Sequence, residues 1–202
     1  MKKIAILIII LSLGIVGFSQ QLEVRFNSEF QKDSEVKNSL GAGASLVFDE
    51  WVKNMNFQIN FDWAHFKSKS DYTAYSTKYN KIKVGASALY CFPLGKSFLF
   101  RAGVDLSYND LKKINTLKTD STYYYLSHKG NMLGLGGIVN LQWKLGNRIS
   151  IGANVIPTYL IPLIYKTDRP DVESYYKKGF FVLQFQIGLI FRMGSIVATE
   201  TN

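Results

Sequence analysis

Two histidines are the side chains of this sequence best suited to acid–base chemistry. His128 directly follows Ser127, and a serine activated by a neighbouring general base is the minimum arrangement for acyl transfer. Two neighbours in a chain do not by themselves form a catalytic pair. His65 lies on the apolar face of its predicted strand. Anchoring at a membrane interface is the simpler role for a histidine at that position. We therefore expect no catalytic residues and no enzyme.

The sequence offers no metal or cofactor chemistry either. It has no His, Cys, Asp and Glu spacing typical of a metal site, and no glycine-rich loop that leads into a helix. Cys91 is the only cysteine, so no intramolecular disulfide can form. Cys91 lies on the inward face of its predicted strand, near a turn, so we expect it to fill a small space in the interior. We expect no metal and no cofactor.

Charged side chains alternate with apolar ones in the segment "LEVRFNSEF", residues 22–30. A period of two predicts a strand with one polar and one apolar face. If the polar face is enclosed, its charges need partners, and the later strands supply them at the same parity. We predict that Glu23 pairs with Arg192. The predicted enclosed polar network is Glu23, Arg25, Glu29, Asn60, Asp62, Arg101, Asp105 and Arg192.

The N-terminus has the organisation of a secretory signal peptide. Lys2 and Lys3 precede the apolar run "IAILIIILSLGIV", and small residues then stand at Gly17 and Ser19. We expect residues 1–19 to be a cleavable signal peptide and 20–202 the mature domain, with an uncleaved anchor as the alternative. Cleavage lowers the formal charge from +9 to +7. A basic exported chain suits several acidic partners, so charge alone decides little.

The mature sequence is predicted to be all-β. We expect eight strands, roughly 22–31, 40–50, 54–66, 81–92, 97–108, 131–145, 149–162 and 180–193. Short connections ("EWVKN", "PLGKS", "LGNR") alternate with longer polar ones. This pattern is typical of an up-and-down antiparallel barrel with short turns at one end and long loops at the other. Pro157 and Pro162 predict a bulge or an early end in the seventh strand.

The composition of the polar face decides between a soluble and a membrane barrel. A soluble barrel would show water a face rich in Lys, Glu and Thr. Here that face carries glycines and amides, which suit a cramped interior, while most lysines fall in the predicted loops. We therefore predict a transmembrane β-barrel with an apolar outside and a filled polar lumen. A soluble periplasmic ligand-binding barrel is the fallback.

Two further sets of residues follow from this arrangement. Side chains on the outward face of the predicted strands are expected to contact lipid or to form aromatic girdles. They are Phe57, Phe61, Trp63, Phe98, Tyr108, Trp143, Tyr159 and Phe185. The long loops are expected to be extracellular, basic and tyrosine-rich. Their possible surface contacts are Lys67, Lys69, Lys112, Lys113, Tyr124, Tyr125, Lys177 and Lys178.

The sequence resembles the small outer-membrane β-barrel family common in Bacteroidetes-type bacteria, and its layout is similar to the eight-stranded OmpA and OmpX barrels. The signal segment, the glycine-spaced strands "LGAGASLVF" and "RAGVDLSY", and the closing "FFVLQFQIGLIFRM" carry this resemblance. It implies a location in the outer membrane, with short turns in the periplasm and long loops outside. It implies architecture more than activity.

The expected function is a structural or surface-interaction role through the long loops. Expected partners are outer-membrane lipid, including lipopolysaccharide phosphates that lysines could bind, and a protein or glycan. We expect no nucleic acid partner and, by default, a monomer. The alternatives are an accessory barrel of a secretion or envelope-assembly machine of the type IX kind, a narrow pore, and a lipid A-modifying enzyme.

Overall fold

The computed structural model describes residues 20–31, 38–69, 75–118, 123–167 and 178–193. The predicted signal peptide, residues 1–19, lies outside them. Eight strands form the described part of the chain: β1 (Gln20–Gln31), β2 (Asn38–Val52), β3 (Met55–Lys69), β4 (Tyr75–Leu94), β5 (Phe98–Lys118), β6 (Tyr123–Lys144), β7 (Ile149–Thr167) and β8 (Phe180–Arg192). Within these residues, no helix is long and apolar enough to cross a membrane.

The strands close into one antiparallel barrel. Each strand pairs with its neighbour in sequence, and β1 pairs with β8 to complete the ring. The predicted eight-stranded up-and-down barrel is thus confirmed. Closure pairs the strand edges and leaves no open edge on the sheet.

Short turns join the strands at one end, which we call the turn end. Asn54 takes a positive φ of 62° between β2 and β3, and Gly95 takes 75° between β4 and β5. Glycine lacks the Cβ that disfavours this conformation, and the short polar side chain of asparagine tolerates it. These two residues therefore permit tight hairpins.

Most strands are longer than the sequence predicted. β5 has 21 residues and β6 has 22. With a rise of about 3.3 Å per residue and a tilt of about 40°, 22 residues span roughly 55 Å along the barrel axis. The apolar band of an outer-membrane barrel is only about 25 Å tall. The ends of β4 to β7 away from the turn end therefore extend well beyond such a band.

A bulge interrupts β7 beside Pro162. Asn131 of β6 faces Ile164, whereas Met132 faces Pro162, so Leu163 is the extra residue. The predicted bulge is present, but β7 does not end early. The extra residue reverses the inward and outward alternation. Tyr165 therefore contacts a lumen residue, while Lys166 is exposed.

The two faces of the sheet differ in composition. Large apolar side chains cover the outside, with Phe26 at 75% exposure as an example. The inside is mostly polar, and it includes four carboxylates and five cationic side chains among the buried residues described. Two apolar clusters also fill the lumen. One consists of Leu89, Ile138 and Ile156, and the other of Tyr79, Leu111, Met132, Leu160, Phe180 and Val182.

Candidate functional site

Arg25 and Asp62 form the centre of the lumen network. The Arg25 guanidinium donates to Asp62 Oδ1 from Nη2 at 2.9 Å and from Nε at 3.1 Å. Both residues face Gly43 of the intervening strand β2, so the arginine reaches across a position without a side chain. A Cβ at residue 43 would collide with the Asp62 carboxylate. The glycine therefore makes this pair possible.

Further groups complete the surroundings of Arg25. Glu23 Oε2 lies 3.7 Å from Nη1, and Ser45 Oγ accepts a hydrogen bond from the same nitrogen. Asn60 Oδ1 lies 3.4 Å from Nη2. Buried charges are tolerated when they are paired and hydrogen-bonded, so the Arg25 environment stabilises the charge that burial alone would disfavour.

A second ion pair joins β4 and β5. Lys83 Nζ lies 2.8 Å from Asp105 Oδ2, and Ser87 Oγ donates to Asp105 Oδ1 at 2.8 Å. Asn60 Nδ2 donates to Ser87 at 2.7 Å and approaches Asp105 at 3.4 Å. Because Asn60 contacts both Arg25 and this group, it links the two ion pairs.

A third ion pair lies farther from the turn end. Lys81 pairs with Glu29, and Tyr79 Oη donates to Glu29 Oε1 at 3.3 Å. Tyr79 belongs to the larger apolar cluster, with Leu111 and Met132. Both charged side chains of the neighbouring ion pair are buried, with exposures of 4% and 0%. Apolar side chains thus occupy the lumen on the side of the network away from the turn end.

The structure brings together most of the predicted network. Seven of its eight residues are buried inside the barrel: Glu23, Arg25, Glu29, Asn60, Asp62, Arg101 and Asp105. The exception is Arg192, whose side chain is 38% exposed and lies 4.0 Å from Asp49. The predicted pair of Glu23 with Arg192 is wrong. The pairing of β1 with β8 places Arg192 opposite Gln21 and Glu23 opposite Ile190. Glu23 instead accepts a hydrogen bond from Asn154 at 2.9 Å.

Two ion-paired lysines of the network were missed from the sequence. Lys81 and Lys83 are buried in the lumen, although most lysines were expected in loops. The signal was present in "KIKV", residues 81–84, because Ile82 and Val84 are exposed on the outside and the lysines alternate with them. The same parity argument that located Arg25 would have located both lysines.

The predicted lipid-facing residues lie on the outer surface of the strands. Phe98 stacks on Trp143 near the turn end with ring centroids 6.1 Å apart, and the two residues are direct cross-strand partners. Phe185 contacts Phe30 edge to face at 5.7 Å. Phe61, Trp63, Tyr108 and Tyr159 are exposed, and Phe57 is half-buried.

The predicted surface lysines lie mostly on strands rather than in loops. Lys67, Lys69, Lys112 and Lys113 belong to β3 and β5, and Tyr124 and Tyr125 belong to β6. Backbone pairing with neighbouring strands extends these segments beyond the region of apolar alternation. Lys113 is moreover buried in the lumen. Lys178 is exposed just before β8, whereas Lys177 lies outside the described residues.

Five exposed lysines form a row on the outside of the barrel, beyond Tyr108 and Tyr159. Lys112 of β5 faces Lys129 of β6, and Lys129 faces Lys166 of β7. Like charges directly opposite each other destabilise a sheet. Asp110 is the one exposed carboxylate on this part of the described surface. We call Lys67, Lys78, Lys112, Lys129 and Lys166 the lysine row.

The histidines have structural contacts. His65 Nδ1 lies 2.8 Å from Asn80 Oδ1, and its ring stacks on Trp63 at 5.7 Å. His128 was predicted in a loop, but it is buried on β6 with Nδ1 2.5 Å from Tyr165 Oη. Cys91 is half-buried and faces Arg101 across β4 and β5. Among the described residues, no group of His, Cys, Asp and Glu could hold a metal ion.

Solved structures with the same architecture span nearly the whole chain. The Neisserial surface protein A has a TM-score of 0.57 at 13% identity, covering 88% of this chain and 97% of its own. The fold is that of an outer-membrane β-barrel. A major outer membrane protein of Thermus thermophilus has a TM-score of 0.58 at 14% identity, covering 86% of this chain and 99% of its own.

A third similar structure is known with a ligand. The attachment invasion locus protein Ail of Yersinia pestis has a TM-score of 0.53 at 11% identity, covering 87% of this chain and 99% of its own. It has also been solved in complex with the heparin analogue sucrose octasulfate. No protein-family description matches the sequence, and no curated protein does so either.

Proposed function

We propose that this protein is an integral outer-membrane β-barrel with a packed, non-conducting lumen, and that its lysine row binds phosphate groups at the membrane surface. The short turns face the periplasm and the long loops face outside. The role is structural and interactive rather than catalytic. The direct register of Lys112, Lys129 and Lys166 on three neighbouring strands is the observation that carries the proposal.

The electrostatics of the row favour an anionic partner. Three ammonium groups on adjacent strands repel each other, and a polyanion placed against them would convert that repulsion into charge-assisted hydrogen bonds. The row lies on the extensions of the strands, beyond the outward aromatic side chains Tyr108 and Tyr159. In the proposed orientation this is the level of the lipopolysaccharide phosphates.

The lumen supports a structural role. Most of its charges are held in ion pairs centred on Arg25, Lys83 and Lys81, and apolar clusters fill other sections. Eight strands enclose an interior that side chains can just fill. A packed interior stabilises the barrel and gives ions no continuous aqueous path.

Binding of lipopolysaccharide by the purified full-length protein tests the lysine row. In nonionic detergent, we expect the triple variant Lys112→Gln, Lys129→Gln, Lys166→Gln to bind at least about tenfold more weakly, because each lysine can supply a charge-assisted hydrogen bond. The matched triple Lys→Arg variant keeps the charges and should retain binding. Wild-type affinity in the glutamine variant would refute the role of the row.

A second candidate is adhesion to a sulfated glycan. The same cationic row suits any closely spaced polyanion, and a barrel of the same fold has been crystallised with sucrose octasulfate. Competition between sucrose octasulfate and lipopolysaccharide for the wild-type protein, absent in the glutamine variant, would favour a general polyanion site. Binding of lipopolysaccharide without competition would restrict the row to membrane lipid.

A further inference from the structure

The turn end of the barrel contains a basic cavity that the lumen network does not use. Its volume is about 230 Å³, and it lies between the turn that joins β6 to β7 and the ends of β1 and β8. Four cationic residues line it, Lys96, Lys144, Arg148 and Arg192. We call this site the turn-end cavity. It is separate from the lysine row, which lies on the outer surface toward the opposite end of the strands.

The cations of the cavity lack matching carboxylates. Within the part of the chain that the structure describes, Lys96, Lys144 and Arg148 have no ion-pair partner, and Arg192 approaches Asp49 only at 4.0 Å. Asp49 is already engaged by the Gln21 amide and by Asn56 Nδ2 at 2.9 Å. A concentration of positive charge in a concave site attracts anions and strengthens their binding.

Buried polar atoms near the cavity also lack partners. Gln142 lines the cavity, and its buried Oε1 atom accepts no hydrogen bond in this structure. Arg101 donates to Gln21, another lining residue, at 3.4 Å, but its buried Nε atom has no acceptor. Each unsatisfied buried group costs stability. A hydroxyl-bearing anion would supply a donor for the glutamine and negative charge beside the arginine.

We propose that the turn-end cavity binds a phosphate-bearing anion. Lys144 and Arg148 contact its oxygens, and Gln142 accepts a hydrogen bond from its hydroxyl group. The cavity is smaller than a typical site for drug-sized ligands, which suits a phosphate group or a lipid headgroup. The anion comes either from an anionic phospholipid of the adjacent leaflet or from free phosphate. The binding chemistry does not depend on the proposed membrane orientation.

Binding measurements on the full-length protein in nonionic detergent test this site. The probes are inorganic phosphate and dihexanoylphosphatidylglycerol, titrated separately at low salt and followed by ³¹P NMR and calorimetry. In the double variant Lys144→Gln, Arg148→Gln we expect at least a tenfold loss of affinity, because two charge-assisted contacts are removed. The control variant Lys53→Gln, Lys178→Gln loses the same charge at exposed positions outside both the cavity and the lysine row, and it should bind normally.

The outcomes separate the two sources of the anion. Binding of both probes supports a site for the phosphate group itself, binding of the lipid alone supports a headgroup site, and binding of phosphate alone supports a soluble anion. Binding of neither probe, wild-type affinity in the cavity variant, or an equal loss in the control would overturn the proposal. Heat-modifiable migration on a detergent gel verifies that each variant is folded. The lysine-row variants should leave this binding unchanged.

Discussion

Removal of the Asp62 carboxylate tests the centre of the lumen network. In Asp62→Leu, the buried Arg25 guanidinium loses the acceptor that lies 2.9 Å from Nη2 and 3.1 Å from Nε. Breaking a buried ion pair by removing one partner costs about 3–5 kcal/mol. We expect about 3 kcal/mol, the low end, because Glu23 at 3.7 Å still compensates part of the charge.

Reversible urea unfolding of the protein in lipid vesicles measures this change. With an m-value of about 2 kcal/mol/M, a loss of about 3 kcal/mol lowers the urea midpoint by about 1.5 M. Trp63 is the neighbour of Asp62 in sequence and provides a local fluorescence signal. Asp110→Leu is the matched control, because Asp110 is an exposed carboxylate, and we expect it to change stability by less than about 0.5 kcal/mol.

A double variant separates the energy of the lost ion pair from the cost of leaving the Arg25 charge buried without its partner. Arg25→Met with Asp62→Leu removes both charges at similar volume, and such replacements are often neutral or stabilising. We therefore expect it to recover at least half of the stability lost in Asp62→Leu. Equal midpoints for Asp62→Leu and the Asp110 control would refute the reasoning, since they would show that Arg25 does not depend on this partner.

Three further predictions concern the interior. Asp105→Leu leaves Lys83 without its ion pair and should lower the free energy of unfolding by about 3 kcal/mol in the same urea assay, while the Asp105→Leu, Lys83→Met double variant recovers much of it. Gly43→Ala places a methyl group against the Asp62 carboxylate and should cost about 1–3 kcal/mol, whereas Gly146→Ala, with open space around its Cβ position, should cost much less. Purified protein in planar bilayers should show no steady large conductance, and large stable channels would contradict a packed lumen.

The faces of the strands could be predicted from the sequence because side-chain direction is local. Alternation with a period of two fixes which residues share a face whatever the strand pairs with. Arg25, Asp62 and Asp105 were located inside in this way, and Phe61 and Phe185 were located outside. The composition of the inward face, rich in glycine and amides, then indicated a filled lumen.

The ends of the strands could not be predicted in the same way. Where the sheet extends past the apolar band, polar and apolar side chains share a face: Leu111 and Lys113 are both buried, while Lys112 is exposed. The alternation of apolar and polar residues then disappears. Pairing with the neighbouring strands maintains the extended structure there, and that is a non-local effect.

The register between two strands depends on both of them and cannot be predicted from the sequence of one alone. The register between β1 and β8 places Arg192 opposite Gln21 and separates it from Glu23. At Leu163, one extra residue reverses the alternation and sets Lys166 opposite Lys129. The proline in "LIPLIY" indicated an irregularity, but the position of the extra residue, and with it the lysine row, required the paired strands.

The central claim is that the apolar outer face contacts lipid, and spin-label accessibility tests it most directly. In a Cys91→Ser background, labels are placed at Phe26→Cys, Leu106→Cys and Ile187→Cys, which are exposed on the outside of three different strands, with Lys53→Cys in a turn as the aqueous control. In reconstituted bilayers, we predict frequent collisions of the three labels with oxygen and few with a water-soluble nickel chelate, and the reverse at residue 53. Collision with the nickel chelate at all three positions as frequent as at residue 53 would contradict the membrane assignment.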